Sequence, residues 1–493
     1  MKKLSLAWIV LVACSDGSPV LEPVVDVPPV TSDAHPYTDL EEIFISVAEA
    51  GQEGSIREVR FEPDHDLVLP DVPFGSDLVI HMSGRARGQE IAYGRTCAIT
   101  FTAAGGPPEN EPHLYFSNII EWGAEWSPSA APFEPDRIGG YGVALSDGRA
   151  VFAGGGSDAT TVERFDPQTG SFVRLGVELA PRTGRVFTSF ADGRFVVTGG
   201  VDGNGDGVAM VELVDPRPDV SVGAQLEQLD GPILSEHTAI ALADDTVLVT
   251  GGMASPGVGM PLEVTSAAWQ ITPIAGGLLD SQELRVTMQS PRVEHSMTRL
   301  GDAAGADVLI IGGRDQSDQP VARAELYRPL RESFQPLDTA VLNVPRWGHT
   351  AVQFAGGFVL VVGGFQPDPG GGAPVPVAEI ELYDPVDHRF DLAGMLSDGA
   401  GFSEFTVTGL PDGGTMLAGG RGLDGEPVSI VQIARFDAVN GRVILGPTKS
   451  LKEPRAGHSA VRLCDGTVLI TGGTSDAGAF GSERYNPASD GRR

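Results

Sequence analysis

Pro345-Arg346-Trp347-Gly348-His349-Thr350-Ala351-Val352, Val359-Leu360-Val361-Val362-Gly363-Gly364, Glu381-Leu382-Tyr383-Asp384-Pro385 and Phe390 together decide how this 493-residue chain folds. The first run is apolar once past its histidine. The second has no polar alternation, which is the pattern of a strand buried on both faces. Glycines placed directly after such a strand let backbones approach where side chains would collide. The third run ends at a proline, and an aromatic residue opens a fourth.

The same order recurs along the chain. A Gly-Gly doublet closes an aliphatic run at Gly154-Gly155, Gly199-Gly200, Gly251-Gly252, Gly312-Gly313, Gly363-Gly364, Gly419-Gly420 and Gly472-Gly473, in steps of 45 to 61 residues. Periods of this size mark repeated supersecondary units. Asp147-Gly148, Asp192-Gly193, Asp412-Gly413 and Asp465-Gly466 precede the aliphatic runs, and such dipeptides tolerate the positive φ of a two-residue hairpin. The third run recurs as Glu163-Arg-Phe-Asp-Pro167, Glu212-Leu-Val-Asp-Pro216, Glu325-Leu-Tyr-Arg-Pro329 and Glu483-Arg-Tyr-Asn-Pro487, and Phe172 and Phe334 open further fourth strands. Four strands per unit at a period of roughly 50 residues is a β-propeller blade. The expected fold is all-β: a seven-bladed propeller over residues 119–493.

Pro-Arg-x-x-His, an apolar hairpin, Gly-Gly, Glu-x-Tyr-Asp-Pro and an aromatic, in that order, resemble the kelch repeat. Departures are visible: Phe or an aliphatic stands where most kelch repeats carry Trp in the fourth strand, Ala267-Ala268-Trp269 replaces Tyr-Asp-Pro in unit three, and unit six begins Gly401-Phe402-Ser403 without Arg or His. The seventh unit stops before any fourth strand. A ring must close or leave a sheet edge open, so the segment Trp122 to Pro128, around Trp126, is expected to complete the last blade.

Upstream of the ring, Lys2 and Lys3 precede a short apolar run, Leu4 to Ala13, as in a signal peptide. Its end, Leu11-Val12-Ala13-Cys14, resembles the lipobox of bacterial lipoproteins, which implies a signal over residues 1–13 and lipidation at Cys14. Ser15 after that cysteine implies, in the same family, the outer membrane. Residues 14–37 read as an extended tether. Ile43–Val47, Val59–Phe61, Leu67–Leu69, Leu78–Ile80 and Ala98–Thr102 are strand-like runs, and residues 38–118 are expected to form a small β-sandwich, loosely similar to immunoglobulin-like or prealbumin-like modules and read first as a spacer. Cys97 and Cys464 are the other two cysteines. Their compartment permits a disulfide, but sequence alone does not pair residues so far apart.

Composition narrows the function. Gly and Pro make up roughly a fifth of the chain without collagen's period, and the net charge is −32. Such a surface repels nucleic acid. His237, His295, His349 and His458 occupy one place in the repeat, with Arg292, Arg346 and Arg455 three residues before the last three. Equivalence places Arg292, His295, Arg346, His349, Arg455 and His458 around one end of the ring, where a binding site, a metal or a general base is conceivable. Repetition favours the alternative, local bonds between blades, because a catalytic site is normally asymmetric. Asp202, Asn204 and Asp206, in Asp-Gly-Asn-Gly-Asp-Gly, match the first half of a calcium loop, although Met210 and Leu213 spoil its later positions. No other cofactor is expected. The reading is therefore a non-catalytic, lipid-anchored envelope protein that binds a protein or a glycan through the loops after the doublets: Gly363 to Val377, Met253 to Pro261 and Gly420 to Pro427. Its alternative is a secreted carbohydrate-active enzyme, similar to the sialic-acid mutarotases, with a site at the channel mouth.

Overall fold

A computed structural model of the chain describes residues 23–28, 35–36, 40–49, 55–62, 75–101, 112–119, 137–145, 148–155, 160–167, 171–216, 225–228, 234–254, 262–273, 279–397, 400–411, 413–474 and 482–487. Their regular secondary structure is strand throughout, apart from two single 3-10 turns at Pro329–Arg331 and Ala355–Gly357. The repeat folds as a series of small antiparallel sheets. The fifth is typical: Thr350–Gln353, Val359–Val362, Glu379–Asp384 and Arg389–Met395 pair in that order. Val359, Leu360, Val361 and Val362 are all fully buried, as an unbroken aliphatic strand between two neighbours must be.

The first strands of the seven sheets are Tyr141–Ala144, Val186–Ser189, Thr238–Ala241, Ser296–Arg299, Thr350–Gln353, Thr406–Gly409 and Ser459–Arg462. Several neighbouring first strands touch, and Ser459–Arg462 meets Tyr141–Ala144. The cores lie between sheets rather than within them. Leu309, Ile311 and Leu326 of the fourth pack with Val359, Val361 and Tyr383 of the fifth. Val461, Leu463 and Leu469 of the seventh pack in the same way with Phe152, Phe165 and Phe172 of the first. Burying each such aliphatic side chain contributes roughly 1.5–3 kcal/mol, so every seam is an apolar joint of similar kind. The architecture is propeller-like. The seventh sheet has three strands among the described residues, ending at Glu483–Tyr485. The segment around Trp126, expected to add a fourth, lies outside the described residues, as do Cys14 and the apolar run before it.

Glycine doublets have two different steric reasons. A Cβ on Gly312 would lie 2.5 Å from the Arg346 carbonyl oxygen and from His349 Cε1 in the next sheet, whereas one on Gly313 would lie 2.6 Å from the Val293 carbonyl oxygen in its own sheet. The Asp-Gly turns differ from the two-residue hairpin expected. Gly193 donates its N–H to the Phe190 carbonyl at 3.1 Å, and Phe190 donates to Arg194 at 2.8 Å, with the glycine at φ +87°. Three residues form the loop, and the glycine alone takes the left-handed bulge position. Asp192 instead accepts from the Arg194 N–H at 3.1 Å.

Residues before the ring form an antiparallel sheet in which Arg57–Phe61, Glu42–Glu49, Gly75–Ala86, Gln89–Arg95 and Ser117–Asn118 lie side by side, with Ile99–Phe101 also paired to Gly75–Ala86. Val24–Asp26, inside the segment expected to be a tether, pairs in parallel with His113–Tyr115. Both pieces share one core built on Ile43, Ile45, Ile80, Met82, Leu114 and Phe116. The run Leu67–Leu69 lies outside the described residues. This module is fixed to the seventh sheet. A disulfide joins Cys97 to Cys464 with a Cα separation of 5.0 Å. Asn486 donates to the Tyr93 carbonyl at 2.7 Å and to Ser117, and the Arg484 guanidinium sits 4.0 Å over the Tyr115 ring.

Candidate functional site

The arginines that begin the repeat are buried and paired. Arg346 Nη2 donates to Glu381 at 2.8 Å, with both side chains fully inaccessible. Its Nη1 donates to the carbonyls of Gly363 and Glu379, and its Nε to that of Val344. Glu381 in turn accepts the N–H groups of Asn343 and Val344. One ion pair thereby ties together the lead-in segment, the doublet and the third strand. The pattern repeats as Arg137–Glu163 at 2.5 Å, Arg182–Glu212, Arg292–Glu325 at 2.5 Å and Arg455–Glu483 at 2.6 Å. Burial lowers the pKa of Arg292 and Arg346 from the usual value, and the paired glutamates oppose that shift.

The four histidines reach back to the preceding sheet. Their Nε2 atoms meet Thr198, Thr250, Ser296 and Thr406 hydroxyls for His237, His295, His349 and His458, at 2.7 to 2.9 Å. Each ring lies against the first glycine of the previous doublet. Burial pushes His237 down to about 4 and His349 and His458 to about 3, and lowers His295 likewise. They are neutral at physiological pH. Arg292, His295, Arg346, His349, Arg455 and His458 are therefore brought to equivalent places, but inside the seams, with less than a tenth of each exposed. There they hold sheets together instead of facing a solute.

Backbone bonds from sheet to sheet run through a set of residues the sequence reading did not single out. The residue just before each first-strand lead position is left-handed in all seven sheets: Gly139, Gly184, Glu236, Glu294, Gly348, Glu404 and Gly457, with φ between 53° and 67°. Gly348 donates its N–H to Glu294 at 2.9 Å, Gly457 to Glu404 at 2.8 Å and Gly139 to Gly457 at 2.7 Å, and Glu294 donates to Glu236 at 3.4 Å. Arg314 spans Glu294 at 2.6 Å and Glu236 at 3.3 Å and also pairs with Asp318; Arg421 pairs with Glu404 at 2.9 Å. Burial and the neighbouring Glu294 charge push the Glu236 carboxyl up. The available signal was a Gly or Glu in every unit one residue before the histidine position.

Asp202 accepts the N–H groups of Asn204 at 2.9 Å and Asp206 at 3.0 Å, which holds its carboxyl below the usual range. Asp315 accepts from Ser317 and Gln319, and Asp368 from Gly370 and Gly372, in the same way. The turn at Asp202 is thus a recurrent loop shape held by a first-position aspartate, and Asn204 and Asp206 are not needed to form it. Among the described residues, no group of three or more His, Cys, Asp or Glu side chains is arranged to hold a metal.

No family model matches the chain. Beta-scruin of Limulus polyphemus, a kelch-repeat protein, is 34% identical over 100 residues, which is 20% of this chain. The match spans only 10% of that relative's length. The solved "Structure of YjhT" superposes with a TM-score of 0.48 at 13% identity, over 65% of this chain and all of that one, a likeness too slight to bear weight. The repeat is kelch-like in its residues and propeller-like in its sheets.

Proposed function

We propose that the seven sheets are the blades of one kelch-type propeller, fronted by a small sandwich-like module and carried on a lipid at Cys14 on the outer membrane or cell surface. Its work is to bind a protein or a glycan without catalysis. The observation that carries this reading is the burial of the repeat's chemistry-bearing side chains. Arg346 with Glu381, and His349 with Ser296, are satisfied within seams and repeated from sheet to sheet. That leaves the loops after the doublets as the parts that vary and face solvent. In the loop after Gly363-Gly364, Phe365–Gln366 pairs with Val375–Pro376 and residues 369–374 are exposed at its tip. Loops held by a rigid scaffold are where binding surfaces are normally built.

A soluble form of residues 15–493, which keeps the Val24–Asp26 strand, should retain a ligand from a glycan array or an envelope pull-down. Shortening residues 367–374 should abolish retention while the melting temperature holds. Turnover of a sugar that survives the shortening would overturn the reading. Radiolabelled palmitate should enter the full chain and not its Cys14→Ser variant.

A further inference from the structure

A cavity of about 40 Å³ lies between the second and third sheets, walled by Val211, Leu234, Val249, Trp269 and Ile271, with His237 among its lining residues. Its origin can be read from register. Trp269 pairs opposite Val249, as Glu325 pairs opposite Ile310 and Glu381 opposite Val361. Leu234 precedes His237 by three residues, as Arg346 precedes His349, and its carbonyl accepts the Gly200 N–H as that of Arg346 accepts Gly313. The third sheet therefore keeps the backbone and replaces both halves of the ion pair, Arg by Leu and Glu by Trp. A smaller cavity, about 10 Å³, occurs at the sixth sheet, where Phe402 and Gln432 hold the same two positions. Gln432 accepts a hydrogen bond from Ser397 there at 2.8 Å. Trp269 differs: its indole N–H is buried with no partner among the described residues. His237 Nδ1 is also unpartnered, but so is that atom in the other three repeat histidines, and the indole is what sets this cavity apart.

We propose that this cavity binds a small, uncharged, mostly apolar molecule whose single oxygen accepts the Trp269 N–H. The volume holds roughly three water-sized groups, which suits a short-chain ketone. A charged ligand is disfavoured, because the nearby Arg182 is already paired with Glu212 and His237, the one titratable residue lining the cavity, is kept neutral by burial. The site lies apart from the long loop after Gly363-Gly364, although Val208 and Ala209, from the loop after Gly199-Gly200, help to line it.

The test uses 2-butanone and the intact chain, read by saturation-transfer NMR. Saturable transfer is expected, lost in Val249→Phe, which fills the cavity. Trp269→Phe should weaken 2-butanone about tenfold, while cyclopentane, which has no acceptor, should bind that variant and the parent equally. Where circular dichroism shows Val249→Phe unfolded, Ala209→Leu narrows the cavity from the second sheet instead. Absent transfer, or transfer unchanged by a folded cavity-filling variant, overturns the proposal; so does 2-butanone binding that ignores the loss of the indole.

Discussion

The fifth and third sheets share strand order, register and the backbone bond from the preceding doublet, and differ at one pair of facing side chains. In the fifth, Arg346 and Glu381 form a dry ion pair; in the third, Leu234 and Trp269 take their places. Two charges taken from water lose hydration that their attraction repays only with good geometry and further hydrogen bonds. The fifth sheet supplies both. The third avoids the cost by changing both residues, and its packing is looser in exchange. The difference teaches that the pair is one unit: the fold accepts either version complete. Half of one would leave a buried charge alone.

Splitting the pair should therefore have the largest effect. Glu381→Ala should cost about 3–5 kcal/mol in denaturant unfolding, whereas Arg346→Leu combined with Glu381→Trp should cost less than that single change. A double variant worse than the single one would show that the two sheets are not interchangeable. The seventh sheet sharpens the contrast, since it keeps its ion pair and is also tied to the N-terminal module by Cys97–Cys464. Replacing both cysteines by serine should lower stability by about 2–5 kcal/mol, and the amides of Gly75–Ala86 and Val468–Thr471 should exchange faster with deuterium.

Acid acts on both kinds of sheet alike. His237, His349 and His458 are held at about 4, 3 and 3 by burial, against about 6.5 when unfolded. The folded chain binds fewer protons across that window, so stability falls as the pH drops below about 6.5 and continues to fall toward the folded values. Each histidine should account for about 1 kcal/mol by pH 5.5, and His349→Gln should flatten the slope by one proton. Smallest is the left-handed position, glycine in the fifth sheet and Glu236 in the third. Gly348→Ala should cost about 1 kcal/mol from its φ of 62° alone, since no atom but Phe365 Cδ2 lies within 4 Å of the added carbon. A loss several times larger would mean a steric contact in addition to the dihedral.

What could be read from sequence was local. The doublets, the aliphatic second strands and the fourth strands opened by Phe172, Phe334 and Phe390 follow from spacing within a few residues, and Ser171–Glu178, Ser333–Val341 and Arg389–Met395 lie where expected. The shared glutamate was visible in every copy of its motif. Its bond to an arginine 26 to 35 residues upstream was not, because two strands and a loop intervene. The histidine–hydroxyl contacts cross from sheet to sheet over 39 to 53 residues and were equally hidden. Cys97 and Cys464 meet across 367 residues only because the ring brings its last sheet back to the module that precedes it. The cavity at Trp269 needed register. Ala267-Ala268-Trp269 does not stand in place of Tyr-Asp-Pro as expected, because Trp269 pairs where the motif's glutamate does and Ile271-Thr272-Pro273 hold the Tyr-Asp-Pro places. Spacing alone did not show that Leu234 had changed with it.

The backbone bonds linking Glu236, Glu294 and Gly348, and Glu404, Gly457 and Gly139, join the same atoms of equivalent residues from one unit to the next. A joint made that way asks nothing of the side chains on either side and looks the same to every neighbour. Duplicating or deleting a whole unit would remake each link unchanged. Along these links a unit can be copied without changing the backbone bond that joins it to the next, while the loops carried by each copy diverge.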